Sequence, residues 1–102
     1  IYLWGQTGTP LNGCDFAHGD AGAQADQAMR NIKALLEEAG SGLNDACKIT
    51  IYIADRAYRD AVYKAVGPHL KDVHPVGTGL IVDGFASPEI LVEIDVDAVI
   101  QN

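Results

Sequence analysis

Between Asp20 and Gly40 the apolar residues recur at Ala25, Ala28, Met29, Ile32, Leu35, Leu36 and Ala39. Steps of three and four put them on one stripe of a helix with 3.6 residues per turn. Asp20 has the chemistry of an N-cap, and Gly40 sits where a left-handed residue ends a helix. Gln24, Asp26, Gln27, Arg30, Lys33, Glu37 and Glu38 fall mostly off the stripe, on a face expected to stay wet. Ala46–Ala54 follows a period of two instead. Ile49, Ile51 and Ile53 point one way, and Lys48, Thr50 and Tyr52 the other. The isoleucine face is the expected seat of the helix stripe, because one amphipathic helix cannot hide its stripe alone. A shorter helix is predicted over Ala57–Val66, capped by Asp55 and stopped or kinked at Gly67-Pro68.

The remaining segments are less regular. Ile1–Trp4 is β-branched and aromatic and predicts a short strand, and Gly5-Gln6-Thr7-Gly8-Thr9-Pro10 predicts irregular backbone or a bulge after it. Asn12-Gly13 is a turn signal. His69–His74 forms a polar connector. Pro75 opens a strand over Val76–Val82 whose two glycines leave bare backbone, either for close approach of a ligand or another chain, or at a bulge. Asp83–Pro88 has the composition of a hairpin-like connection. Glu89–Ile100 alternates again, with Glu93, Asp95 and Asp97 on one face and Val92, Ile94 and Val96 on the other. On this basis Val76–Val82 and Leu91–Val96 are expected to pair as neighbours, which brings Glu93 close to Gly77 and Gly79. The order strand, helix, strand, helix, strand, strand predicts one α+β domain over residues 1–102, with two helices on one face of a mixed sheet. The polar and aromatic mixture on the second face (Tyr52, Thr50, Glu93) points to a subunit contact or a ligand pocket.

Charge narrows the partners. The formal net charge is −7, and no block of Lys or Arg gathers on a predicted face. Affinity for nucleic acid comes largely from neutralised phosphates, so this chain is a poor nucleic-acid binder and a poor ligand for anionic membranes. No apolar run approaches the ~20 residues of a membrane span. Cys14 and Cys47 lack zinc-type spacing, and two thiols in such a chain fit a reducing, cytoplasmic location. Cys14, Asp15, His18 and Asp20 invite a metal reading, but a turn followed by a helix cap accounts for them, and no metal or cofactor is expected. The chain opens on Ile1 rather than Met, which leaves room for residues ahead of it.

Several stretches together resemble one family. They are Gly5-Gln6 after the first strand, the run Gln24–Gly40, Lys48-Ile49-Thr50-Ile51-Tyr52-Ile53-Ala54-Asp55, Pro75 ahead of the third strand, and Leu91-Val92-Glu93-Ile94-Asp95. They resemble the Rid family of reactive-intermediate deaminases, also called YjgF-like or endoribonuclease L-PSP-like proteins. The likeness runs from about Ile1 to Val99, with the first family strand, upstream of Ile1, absent. It implies a chorismate-mutase-like fold and a homotrimer with pockets in clefts between subunits. The implied activity is hydrolysis of enamine or imine intermediates to a ketone and ammonia.

The family's site residues are mostly replaced here. The arginine two residues after the proline is Gly77, and the position two further on, often cysteine, is Gly79. The residue before Gly5-Gln6, often serine, is Trp4, and the second-helix position often held by asparagine is Tyr63. The glutamate of the last strand is kept as Glu93. An arginine is the natural bidentate clamp for a substrate carboxylate. Its loss argues against the usual deamination of 2-imino acids, and none of Arg30, Arg56 and Arg59, all on predicted helices or a helix start, is placed to stand in for it.

Each candidate has two readings. Glu93 is a water-orienting acid or base, or a sheet-face acid at a subunit contact. His74 is an acid–base group near the pocket mouth, or an exposed connector residue. Trp4 and Tyr63 wall the pocket or fill the core, and Thr78 is a further wall. Gly77 and Gly79 offer backbone N–H groups or mark a bulge. Cys47 is expected to pack as a small apolar residue. Two function classes follow: a divergent hydrolase or deaminase of a small imine- or enamine-like metabolite in an intersubunit cleft, or a homotrimer that holds a small-molecule ligand without turnover. The ribonuclease that the older family name suggests is disfavoured by the charge and by the absence of a paired-histidine or lysine site.

Overall fold

The computed structural model describes residues 1–11 and 15–100. The Asn12-Gly13 turn and Cys14 lie outside them. Four strands and two helices follow one another as β1 (Tyr2–Thr7), α1 (Ala21–Glu38), β2 (Ala46–Ile53), α2 (Arg59–Val66), β3 (Val76–Ile81) and β4 (Val92–Ala98). The strands form one mixed sheet in the order β1-β4-β2-β3, and both helices lie on its isoleucine face.

Helix α1 is specified at both ends. Asp20 takes extended backbone and its carboxylate accepts the Ala23 N–H at 2.9 Å, satisfying one of the free donors of the first turn. At the other end Gly40 has φ +80. The Ser41 N–H reaches back to the Leu36 carbonyl at 2.8 Å and the Gly40 N–H to Glu37 at 3.1 Å, the two bonds of a Schellman cap. Between the caps, Ala25, Ala28, Met29, Ile32 and Leu36 are buried against Ile49, Ile51 and Ile53 of β2 and Val92, Ile94 and Val96 of β4. Burying each of the larger side chains stabilises the fold by roughly 1.5–3 kcal/mol.

Gln24 departs from the expected wet face. It is fully buried, and its side-chain amide donates to the Ala17 and Glu89 carbonyls at 2.9 and 3.0 Å and accepts the Leu91 N–H at 2.9 Å. It therefore holds the segment before α1 to the segment before β4. Asn31, also buried, donates to the Thr7 and Thr9 carbonyls at 3.2 and 2.8 Å and ties the end of β1 to the same helix.

Strand β1 runs further than its break signals suggest. It continues through Gly5 and Gln6 because the ladder to β4 absorbs an irregularity between Leu3 and Gln6, where Gly5 has φ +71. Cys47 is exposed, not packed, and its thiol faces the Asp97 carbonyl at 3.4 Å. Asp55 does cap a turn, but a 3-10 turn at Arg56–Tyr58 that leads into α2, and the chain past Val66 continues as a second 3-10 turn over Gly67–Leu70.

The expected pairing of β3 with β4 does not occur. β3 runs parallel to β2, with Ile49 opposite Gly77 and Ile51 opposite Gly79, whereas β4 is antiparallel to β2 on its other edge. The reason is the intervening helix. A strand–helix–strand crossover returns the chain in the same direction beside the strand it left. The 82–91 segment then passes the end of β2, where Val82 donates to the Ile53 carbonyl and Ala54 to that of Leu91. Glu93 accordingly stands opposite Tyr52, on the face away from the helices.

Candidate functional site

The pleat and the ladder register separate the candidate residues into two groups on opposite faces of the sheet. On the helix side, a cavity of about 300 Å³ opens between α2, the turn after it, and β3. Ile49, Ile51, Val66 and Leu70 give it apolar walls, and Tyr63, Gly77, Thr78 and Gly79 complete the lining. The glycines make this space. A side chain at Gly77 would come to 3.8 Å from the Ile49 methyl, and one at Gly79 would overlap the Tyr63 hydroxyl. The β2–β3 register runs unbroken through both glycines, so they mark close approach and not a bulge. Arg59, at the start of α2, lies over the Tyr63 ring with its guanidinium carbon 4.7 Å from the centroid.

On the open side, Trp4, Lys48, Thr50, Tyr52, Asp95 and Asp97 surround a second cavity of about 380 Å³. Trp4 is 63% exposed, so it fills no core within this subunit. Its indole N–H is held by Asp97 at 2.8 Å, and the Gln6 amide donates to its carbonyl at 3.2 Å. Asp95 accepts the Gly5 N–H at 2.7 Å and the Tyr52 hydroxyl at 3.0 Å. That hydrogen bond is the main reason the Tyr52 phenol ionises at higher pH than usual. Glu93 sits half-buried on the same face as Asp95. Burial first, and then the Asp95 charge, push its carboxyl above the ordinary glutamate range. A carboxyl so placed is suited to hold or pass a proton nearer neutrality.

His74 is exposed in the segment ahead of β3 and borders neither cavity. Tyr63, Gly77, Thr78 and Gly79 are thus brought together, and Trp4 and Glu93 share the other face. Among the described residues no cluster of His, Cys, Asp and Glu is arranged to hold a metal ion. Sequence reasoning did not single out Lys48, nor the stacking of Arg59 on Tyr63. The signal for Arg59 was its spacing, one helical turn before Tyr63.

The open face also carries exposed apolar area. Tyr2, Trp4, Val76 and Leu80 are all well exposed, and the Tyr2 and Trp4 rings lie 5.4 Å apart. β3 is exposed at every position and, among the described residues, pairs only with β2. No described helix is long and apolar enough to cross a membrane.

A family model described as Endoribonuclease L-PSP matches residues 1–100. A RutC family protein of Pyrococcus abyssi is 40% identical over 55 residues, which cover 54% of this chain and 43% of that protein. The mitochondrial protein mmf1 of Schizosaccharomyces pombe is 36% identical over 75 residues, covering 74% of this chain and 45% of that one. The matched stretches thus span less than half the length of these curated relatives. Among solved structures, RidA from the Antarctic bacterium Psychrobacter sp. superposes with a TM-score of 0.87 at 28% identity, covering 97% of this chain and 79% of that one. A YjgF-family protein of Mycobacterium tuberculosis does so with a TM-score of 0.83, also at 28% identity and with the same coverage.

Proposed function

Since the chain belongs to the endoribonuclease L-PSP family, also called Rid or YjgF, we propose that it binds a small, largely apolar metabolite in clefts of a homotrimer. The observation that carries this reading is the helix-side cavity. It is lined by aliphatic side chains, bare backbone and one phenol, and it lies beside a strand whose outer edge is unpaired among the described residues. An exposed, flat edge strand invites pairing or cover by another chain. The exposed Val76 and Leu80 supply apolar area at that edge, and Tyr2 and Trp4 form a second patch on β1, at the other edge of the sheet. A second copy of the chain would close the cleft and add residues to it.

The cavity's own lining favours binding over turnover. Apart from the weakly acidic Tyr63 it holds no titratable side chain, and hydrolysis of an imine needs a group that protonates nitrogen or activates water. Glu93 favours the second reading, a divergent imine or enamine hydrolase. Its carboxyl is shifted toward neutrality and would serve if a neighbouring subunit carried it to the cleft.

Sedimentation equilibrium at tens of micromolar tests the assembly, and a monomer rejects it. A deamination assay with imines of small amino acids separates the two readings. The binding reading expects turnover near the uncatalysed rate in wild type. Turnover that disappears in Glu93→Gln establishes the hydrolase instead.

A further inference from the structure

The helix-side cavity brings no charge to a ligand. No Lys, Arg, His, Asp or Glu is part of its lining. We propose that it takes an uncharged carbonyl compound with a small branched apolar body, and that Tyr63 selects this ligand by donating its hydroxyl proton to the carbonyl oxygen. The inference rests on the cavity being the binding site.

Charged ligands are disfavoured first. An ion that enters without a counter-charge gives up hydration that aliphatic walls do not replace. The acids of β4 offer no partner to an ammonium within the subunit. Glu93, Asp95 and Asp97 stand opposite Tyr52, Thr50 and Lys48, on the other face of the sheet. Thr78 stands opposite Thr50, so the pleat turns its side chain to that face as well, and only its backbone borders the cavity. The polar side-chain group left on the cavity side is the Tyr63 hydroxyl.

That hydroxyl is free and held in place. Among the described residues it has no hydrogen-bond partner, and no side-chain nitrogen or oxygen that lacks a partner is sealed from solvent, so a ligand can reach it. The Arg59 guanidinium lies over the ring, 4.7 Å from its centroid, and the hydroxyl rests where Gly79 has no side chain. A phenol O–H is a donor, and a ketone or ester oxygen accepts from it without bringing an N–H or O–H of its own. An alcohol or amide adds a donor that the aliphatic walls leave unpaired, at a cost in affinity. Ile49, Ile51, Val66 and Leu70 set the body of the ligand, a branched hydrocarbon small enough for about 300 Å³.

The test titrates 4-methyl-2-pentanone, the hydrocarbon of matching shape 2,4-dimethyl-1-pentene, and the anion 4-methylpentanoate into wild type and Tyr63→Phe. Backbone amide chemical shifts at Gly77 and Gly79 report binding. Tyr63→Phe should weaken the ketone about threefold to tenfold, the worth of one net hydrogen bond, and leave the affinity of the hydrocarbon unchanged. The infrared carbonyl stretch of the bound ketone should lie at lower frequency in wild type than in Tyr63→Phe, a signature that altered packing alone does not give. An identical stretch in the two proteins, an equal loss for ketone and hydrocarbon, or tighter binding of 4-methylpentanoate than of the ketone to wild type overturns the role of Tyr63 while the cavity stands. Binding of none of the three compounds to wild type removes the cavity as the site, and the inference with it.

Discussion

The same two-residue alternation builds both faces of the sheet, yet the faces end in opposite environments. Toward the helices, Ile49, Ile51, Ile53, Val92, Ile94 and Val96 are all nearly inaccessible to water. Toward the other side, Thr50, Tyr52, Glu93, Asp95 and Asp97 remain partly wet, and Asp95 and Asp97 are linked to β1 by carboxylate hydrogen bonds. The covered face makes the monomer fold. The open face adds little that a monomer needs, and what it displays (aromatic rings, an acid ladder, an unpaired edge) is what a second molecule would meet. A cavity lies on each side, apolar on the covered face and polar on the open one.

The largest test of this contrast sets one substitution on each face side by side. Ile32→Ala, in the buried stripe of α1, should cost about 2–5 kcal/mol in urea unfolding, since the hole left in a close-packed core only partly collapses. Leu80→Ser, on the exposed part of β3, should change the stability of the isolated monomer by under ~0.5 kcal/mol and act on assembly alone. If both variants unfold alike when dilute, the division between a folding face and an assembly face is wrong.

Gly79 gives the next effect, on the covered side. Gly79→Ala should destabilise by about 1–3 kcal/mol, the usual range for forcing a methyl into filled space, because the new Cβ collides with the Tyr63 hydroxyl. The paired variant Gly79→Ala with Tyr63→Phe should regain much of the loss. It will not regain all of it, since the ring carbon bearing the hydroxyl would still lie 3.2 Å from the added Cβ. A double-mutant cycle measures the coupling. Additive effects would show that Tyr63 does not occupy this space in solution.

The covered face was the legible one in the sequence. Residues at steps of three and four, with Asp20 and Gly40 at the ends, specify α1 because pattern and caps agree. The alternation of β2 and β4 likewise says which way each side chain points. It does not say which strand lies alongside, and so β3 was expected next to β4 when the crossover through α2 puts it next to β2. That single difference puts β2 between Glu93 and the glycines, while the pleat sets Glu93 level with Tyr52 and Gly77 and Gly79 level with Ile49 and Ile51, on opposite faces. Gln24 was hidden for another reason: its partners Ala17, Glu89 and Leu91 include two far along the chain, and no periodicity reports a polar side chain that links loops. Arg59 was visible as a helix residue, but its place over Tyr63 depends on how α2 sits against β3.

Two carboxyls, one on each side of the sheet, sharpen the contrast through pH. Asp26, on α1, accepts from Arg30 at 2.8 Å and is 2.7 Å from His69 in the turn after α2. The His69 hydrogen bond foremost, and Arg30 as well, hold its carboxyl below the ordinary 3.8 despite some burial. A depressed value means the unfolded chain takes up its proton first. Asp26 therefore contributes stability above pH 3.8, and that contribution fades as pH falls through the lowered folded value. Asp26→Asn should cost ~0.5–1 kcal/mol at neutral pH, a modest figure because the pair is partly in water, and nothing in strong acid. An equal loss at both extremes would assign the effect to packing.

Glu93 should give the smallest effect, and with the opposite sign. Its carboxyl is raised above the ordinary 4.5, by burial first and then by Asp95. The folded protein thus keeps this proton to higher pH than the unfolded chain does. As pH climbs from about 4.5 through the raised folded value, the native state binds more protons than the unfolded one, and stability falls. Glu93→Gln removes the ionisation and keeps the shape. The variant should match wild type in acid and exceed it slightly at neutral pH, by well under the ~1.4 kcal/mol of a full unit shift, because water still reaches the group. The comparison is best made in a Leu80→Ser background, meant to weaken the proposed assembly, and again in the wild-type background. If a neighbouring subunit covers the open face, desolvation grows and the gain from Glu93→Gln should be larger in the assembly than in the monomer. A gain that is equal in the two backgrounds would mean that no second chain covers Glu93, and would leave the acid ladder of β4 facing solvent.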